Sequence, residues 1–211
     1  KKVKSYQQTA DTCGASSLMM VMHYFEKSDL TQAKENHYHL RSKSNYLEGN
    51  HFSALAKEAA YAGLETELVH SETTMFKNQG LFNDDFFKIL IKEYGDYLLG
   101  AQKYGTKVLN GENIDYQSIK KYLENNYLVL IAGHLGKVLH TVLAVGYNEE
   151  GLIICDPLEK GKEIINKNNL EEFVETPIGK WILSIRKDHT NLENLLSNVP
   201  IFVKEAQDYI E

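Results

Sequence analysis

The spacing of apolar residues divides the chain into a helical first half and a strand-rich second half. In the first half, apolar residues recur three or four positions apart, which is the period of a helix with one buried face. This pattern predicts helices at 13–25, 51–61, 84–99 and 115–125. In the first of them, Ala15, Leu18, Met19, Met22 and Phe25 share the face that a core would take.

Strand-length apolar runs replace the helical spacing after Asn126. These runs predict strands at 127–133, 140–147, 152–156, 163–166 and 180–186. A short helix is predicted at 170–174, between the last two strands. Pro157 ends the third of these strands, because proline cannot donate to a strand ladder. Helices followed by an antiparallel meander indicate an α+β fold, in which an N-terminal helical half packs on a C-terminal antiparallel sheet.

Three polar segments lie outside this pattern. Residues 28–48 are polar and predict a solvated surface turn. They contain His37-Tyr38-His39, but no cysteine or carboxylate pair offers the further ligands that a metal site needs. Residues 100–113, with three glycines, predict a linker. Residues 188–211 predict a C-terminal helical appendage after a main domain at 1–187.

Composition narrows the classes of partner. The chain has 211 residues and a net charge of −6, which argues against nucleic acid, because phosphate binding needs a basic face. No apolar run approaches the ~20 residues of a membrane span. The chain begins Lys-Lys-Val-Lys, so we expect that an upstream segment was removed; cytoplasmic and secreted locations both stay open, as does the oligomeric state.

The two cysteines, Cys13 and Cys155, do not make a disulfide scaffold. Cys13 opens the first predicted helix, where the positive end of the helix dipole favours a thiolate. Asp11 or Thr12 is expected to cap this helix. A cysteine on an apolar helix is more often a small buried hydrophobe, so the local stretch leaves both interpretations open.

A histidine and an aspartate supply the second part of a possible site. His140 opens one predicted strand and Asp156 closes the next, so the hairpin brings both residues to the same end of the sheet. A carboxylate on one imidazole nitrogen leaves the other nitrogen for a thiol. The alternative is a histidine that begins a strand and an ordinary Asp-Pro turn.

These stretches together resemble a known family. Gln7, followed six residues later by Cys13-Gly14-Ala15-Ser16, is similar to the papain-like cysteine peptidases related to the bacteriocin leader-processing (double-glycine) peptidases. The segments that begin at His140 and end at Asp156-Pro157 resemble them too, and the likeness covers about residues 3–187. It implies a papain-like fold with Cys13 as nucleophile, His140 as base, Asp156 as orienting residue and Gln7 as oxyanion donor.

Two departures from that family are visible. The separation of Cys13 from His140 is longer than in compact members, so residues 64–113 are expected to be an insertion. We expect no attached transporter, so the resemblance does not imply a role in bacteriocin export. The phytochelatin-synthase branch of the same fold has a similar Cys-Gly start, which keeps peptidyl transfer open.

The resulting hypothesis is a cysteine hydrolase that cleaves an amide or peptide bond through an acyl-thioenzyme. This chemistry needs no metal and no organic cofactor, and its substrate would be a peptide or a small amide. Two alternatives stay open: an acyl or peptidyl transferase that uses the same triad, and a non-catalytic peptide-binding module on this fold.

Overall fold

The computed structural model describes residues 1–46, 49–71, 84–110, 113–136, 138–176 and 179–187. In these ranges the helices are α1 (Cys13–Glu26), α2 (Gln32–Ser42), α3 (Phe52–Tyr61), α4 (Asp84–Lys103), α5 (Tyr116–Glu124) and α6 (Lys167–Val174). The strands are β1 (Leu64–His70), β2 (Lys107–Asn110), β3 (Leu128–Leu135), β4 (Val138–Tyr147), β5 (Gly151–Cys155), β6 (Glu163–Asn166) and β7 (Trp181–Lys187). The predicted appendage at 188–211 lies outside the described residues.

All of these strands form one sheet in the order β2-β1-β7-β3-β4-β5-β6. Its pairs are antiparallel except β1 with β2, which run parallel. The α+β class is therefore confirmed. The simple meander holds only from β3 to β6, because β7 returns to lie between β1 and β3.

The sheet is covered on both faces. Leu128, Leu130 and Ala132 of β3 contribute to a core with α1 and α3, whereas Val129 and Ile131 contribute to a second core with α5 and α6. A strand buried on both faces reads as a continuous apolar run, which is why β3 is easy to find in the sequence. None of the helices in the described ranges is both long enough and apolar enough to cross a bilayer.

The prediction of a surface turn across residues 28–48 is wrong. Residues 32–42 form α2, whose N-terminus is capped by the Thr31 hydroxyl accepting from the Lys34 backbone N–H at 3.3 Å. Glu35 and Ser42 on this helix are fully buried. Because its buried side chains are largely polar, α2 lacks the apolar stripe by which a helix is recognised.

The prediction of a linker across residues 100–113 is also wrong, because part of this segment is helix and part is strand. Helix α4 continues to Lys103, Gly105 then takes a left-handed φ of 94°, and β2 follows at 107–110. Strand β2 is only four residues long and pairs with β1, so its location depends on a partner distant in sequence. Residues 64–113 thus supply β1, α4 and β2, and β1 pairs with β7 along its whole length.

Candidate active site

The candidate nucleophile lies at the first residue of α1. Cys13 is half-buried, and Thr12 is the N-cap residue before it. Thr12 thus takes the predicted N-cap position, but its hydroxyl does not make the predicted capping hydrogen bond. Instead, Asn50, distant in sequence, accepts the Ala15 backbone N–H through Oδ1 at 3.2 Å. The start of α1 is therefore held from outside.

Gly14 explains how Asn50 comes so near. A Cβ at position 14 would lie 3.0 Å from Cβ of Asn50 and 3.1 Å from Cδ1 of Leu55, both tighter than ordinary contacts. The absence of a side chain thus lets the segment before α3 approach the start of α1. The Asn50 amide is itself fixed, since its Nδ2 donates to the Ser42 hydroxyl at 2.7 Å.

His140 and Asp156 meet as the hairpin predicted. His140 is the third residue of β4, and Asp156 directly follows β5, which pairs with β4 from Leu143↔Cys155 onward. Nε2 of His140 lies 2.7 Å from Oδ1 of Asp156, and both residues are buried. The same Oδ1 accepts the Leu158 backbone N–H at 2.8 Å, which fixes the carboxylate.

The imidazole also connects to the thiol. Burial alone would raise the pKa of Cys13, but a hydrogen bond with His140, the charge of that imidazole and contacts with Thr141 lower it below its ordinary value. Burial alone would lower the pKa of His140, but the bonds to Asp156 and Cys13 raise it to about 9. This combination favours a thiolate beside an imidazolium at neutral pH.

Asp156 and Cys155 complete the electrostatic picture. Burial acts to raise the pKa of Asp156, yet the His140 hydrogen bond and the Leu158 N–H hold it below its usual value, so the carboxylate is charged. Cys155, the neighbouring residue, is fully buried, and burial raises the pKa of its thiol. The two cysteines are therefore perturbed in opposite directions.

Gln7 lies near the site but is bonded elsewhere. Its exposed side-chain amide donates to the Leu158 carbonyl at 3.1 Å, and the Gln8 backbone N–H donates to the Pro157 carbonyl at 2.7 Å. The N-terminal segment thus lies along the turn that follows Asp156. The structure brings Cys13, His140 and Asp156 together, whereas the Gln7 amide contacts the Leu158 carbonyl of that turn. A primary amide has two N–H donors, so one remains after the Leu158 contact.

Comparison with known proteins identifies the family. A model of the Peptidase_C39 like family matches residues 1–183, which is most of the chain. The chain belongs to this family. The predicted papain-like peptidase fold, with a helical half packed on a β-sheet, is thereby confirmed, as is the resemblance from which it came. No curated protein matches the chain.

Two solved structures are similar to this C39-like chain. One is the peptidase domain of Streptococcus ComA, a bifunctional ABC transporter involved in a quorum-sensing pathway, at 15% identity and a TM-score of 0.46, covering 88% of this chain and 99% of that one. The other is a putative C39-like peptidase from Bacillus anthracis, at 14% identity and a TM-score of 0.49, covering 89% of this chain and 96% of that one.

The ring nitrogens of a second histidine of this C39-like chain, His134, both contact backbone carbonyls. Nδ1 of His134 lies 3.0 Å from the Gly136 carbonyl, and its Nε2 lies 2.9 Å from the Glu172 carbonyl. Both ring nitrogens therefore contact the β3–β4 turn and α6, and neither contacts Asp156. His140 is the histidine whose geometry suits a base.

Two residues around Cys13 were not found by sequence reasoning. Asn50 directly precedes the predicted helix at 51–61, but α3 begins at Phe52 without a side-chain cap, and Asn50 caps α1. Glu35 lies in the segment predicted as a turn. The capping preference of Asn50 was a usable signal, but the helix that it serves is set by tertiary contacts.

Proposed function

We propose that this C39-like protein is a cysteine peptidase or closely related thiol hydrolase that cleaves an amide bond through an acyl-thioenzyme. Cys13 is the nucleophile, His140 the general acid and base, and Asp156 the residue that orients His140. The observation that carries the proposal is the imidazole of His140, bonded to Asp156 at 2.7 Å and close enough to Cys13 to lower the pKa of its thiol.

The reaction follows from this arrangement. The Cys13 thiolate attacks the carbonyl carbon of the substrate, and the resulting tetrahedral oxyanion collapses as the C–N bond breaks. The His140 imidazolium gives its proton to the leaving amine, which departs and leaves a thioester on Cys13. Water then attacks the thioester while His140 removes its proton, so the acid product and free Cys13 are restored.

Backbone and side-chain donors are available for the oxyanion. Cys13 is the first residue of α1, and N–H groups in a first helical turn have no partner within the helix. The second N–H of the Gln7 amide is the other proposed donor. Removal of one such donor costs about 2.7–4 kcal/mol in related chemistry, so Gln7→Ala is expected to slow hydrolysis by about 10²–10³-fold.

The substrate class follows from the chemistry and from the family. A thiolate nucleophile paired with an acid for the leaving amine is suited to peptides or small amides. Asp156 and His140 are buried, so the substrate reaches the site from the half-exposed side of Cys13.

Two measurements test the proposal. Brief iodoacetamide treatment near neutral pH, followed by mass mapping, is expected to label Cys13 well before Cys155. Incubation with a mixed peptide library is expected to give cleavage products that disappear in Cys13→Ser and persist in the matched control Cys155→Ala. Preferential labelling of Cys155, or cleavage that survives Cys13→Ser, would contradict the proposal. Addition of an amine acceptor to the same assay separates hydrolysis from transfer.

A further inference from the structure

We infer that Glu35 of α2 is a positioning residue for Cys13, one that fixes the loop before the cysteine and the first turn of α1. This inference rests on the proposed function, because it concerns how the nucleophile is held. Glu35 contacts neither His140 nor Asp156, so it acts through the backbone that carries Cys13.

The carboxylate of Glu35 gathers hydrogen bonds from four residues. Its Oε1 accepts the Thr9 backbone N–H at 2.9 Å, the Ser16 hydroxyl at 2.9 Å and the Thr12 hydroxyl. Its Oε2 accepts the Thr9 hydroxyl at 2.7 Å and the Tyr6 hydroxyl at 3.1 Å. Five donors therefore converge on one side chain that has no exposed surface.

The positions of these donors matter more than their number. Thr12 directly precedes Cys13, Ser16 lies one turn after it, and Tyr6 and Thr9 lie in the approach to α1. The nucleophile is thus bracketed on both sides by bonds to the same carboxylate. A shift of α2 or of the loop would break several of these bonds at once, so the angle at which Cys13 meets His140 depends on Glu35.

The charge of this carboxylate is supported by hydrogen bonds. Burial alone would raise the pKa of Glu35, but the donors from Thr12, Thr9 and Ser16 hold it below its ordinary value, so it is ionised at neutral pH. Among the described residues no lysine, arginine or histidine pairs with it. Hydrogen bonds to an ionised acceptor are stronger than neutral ones, which suits a fixing role.

The chain contains a matched carboxylate away from Cys13. Glu93 of α4 is also buried, and it accepts the Asn45 backbone N–H at 2.7 Å, the Ser44 hydroxyl at 2.7 Å and the ring N–H of His51 at 2.9 Å. Its pKa is likewise held low against burial. Glu93 therefore tests what the loss of a buried, hydrogen-bonded carboxylate does when none of its partners precedes the nucleophile.

The test compares Glu35→Gln with Glu93→Gln in the full chain. The rate of Cys13 alkylation by iodoacetamide is measured across pH, with the folded fraction checked by circular dichroism. In Glu35→Gln we expect the apparent pKa of Cys13 to rise by about one. At a pH below the pKa of Cys13 in the wild type, such a rise makes alkylation about tenfold slower. Glu93→Gln is expected to stay within about twofold of wild type, since its partners lie outside the loop.

The direction of the change identifies its cause. Loss of a nearby negative charge would by itself favour the thiolate and speed alkylation, so a slower reaction reports displacement of Cys13 rather than changed electrostatics. If Glu35→Gln does not fold, the pair Thr12→Val and Ser16→Ala removes two of the donors and is expected to slow alkylation in the same way.

Three outcomes would overturn the inference. They are a folded Glu35→Gln with the wild-type pH profile, an equal effect in Glu93→Gln, and unchanged alkylation in the Thr12→Val/Ser16→Ala pair when Glu35→Gln is unfolded. A wild-type Cys13 that reacts no faster than Cys155 would instead contradict the proposed function, and the inference with it. If only the inference about Glu35 fails, wild-type Cys13 still reacts faster than Cys155 and its reactivity still depends on His140.

Discussion

The two sides of the candidate site are held by different kinds of interaction. His140 and Asp156 are placed by the ladder between β4 and β5, whose backbone bonds repeat along the strands. The residues beside Cys13 are held by the side chains of Glu35 and Asn50, which come from distant parts of the chain and bond to Thr12 and Ala15. A ladder distributes its restraint over many equivalent bonds, whereas the cysteine side concentrates it in two polar residues.

This difference has a consequence for substitutions. On the sheet side, a change of one outward side chain leaves the ladder intact, and disruption requires a change that touches the backbone. On the cysteine side, one polar side chain fixes several segments, so a conservative change can displace the nucleophile. Mutations that separate these two behaviours sharpen the comparison.

The largest effect is expected from His140→Ala. Without the imidazole, burial acts on the Cys13 thiol unopposed by its hydrogen bond and charge, so the pKa of Cys13 rises and alkylation at neutral pH falls at least about tenfold. Hydrolysis is expected to fall by about 10²–10⁴-fold, the usual contribution of such a base. His134→Ala is the control and should leave both rates nearly unchanged. A larger loss of both rates in His134→Ala than in His140→Ala would show that His134, and not His140, acts on Cys13.

The sheet side of the site was predictable because its signals are local. The apolar runs identify β4 and β5, although β4 begins two residues before His140 and β5 ends one residue before Asp156, and an antiparallel hairpin fixes which residues meet. The pairing of His140 with Asp156 is therefore predictable from the sequence alone. The helices α1 and α3 were found for a similar reason, since each has a regular apolar face of its own.

The cysteine side could not be predicted to the same depth. Helix α2 buries Glu35 and Ser42 against polar partners, so its pattern resembles that of a surface segment. The contact of Asn50 with α1 and the insertion of β7 between β1 and β3 both join residues far apart in sequence. Neither contact leaves a periodic pattern in the sequence, and periodicity is the signal from which helices and strands are predicted.

The next effect concerns pH. In the proposed reaction, amide cleavage needs the Cys13 thiolate together with the His140 imidazolium. Because the pKa of Cys13 is lowered and that of His140 is raised to about 9, activity should rise as Cys13 ionises, at a pH below the ordinary value for a thiol, and decline as the pH passes about 9. Initial rates of library-derived substrate cleavage across pH measure this profile. A decline centred near the ordinary histidine value would show that the pair is not coupled as described.

A backbone change should damage the sheet side. In Gly151→Ala, the new Cβ would lie 2.0 Å from the Ile165 carbonyl oxygen on β6, and backbone cannot yield as a side chain can. We expect a loss of about 1–3 kcal/mol in the free energy of unfolding, as for other overpacked sites. The control is Gly95→Ala in α4, where a Cβ meets nothing within 4 Å and the helix should gain about 0.5–1 kcal/mol. Urea unfolding measures both, and equal stabilities would refute the clash.

The smallest effect separates stability from reactivity at Asn50. Asn50→Ala removes the acceptor for the Ala15 N–H, so we expect the free energy of unfolding to fall by about 1 kcal/mol, the usual cost of a lost cap. Asn50→Asp keeps that acceptor and places a favourable carboxylate at the helix N-terminus, but it loses the Nδ2 donor to the Ser42 hydroxyl, so we expect its stability to lie between those of wild type and Asn50→Ala. Its negative charge should nevertheless raise the pKa of Cys13, because a like charge disfavours the thiolate. Alkylation of Cys13 in Asn50→Asp is therefore expected to be slower than in wild type, although this variant keeps more stability than Asn50→Ala. If Asn50→Asp instead reacted as fast as wild type, the side chain at position 50 would serve α1 alone and would exert no influence on the thiol.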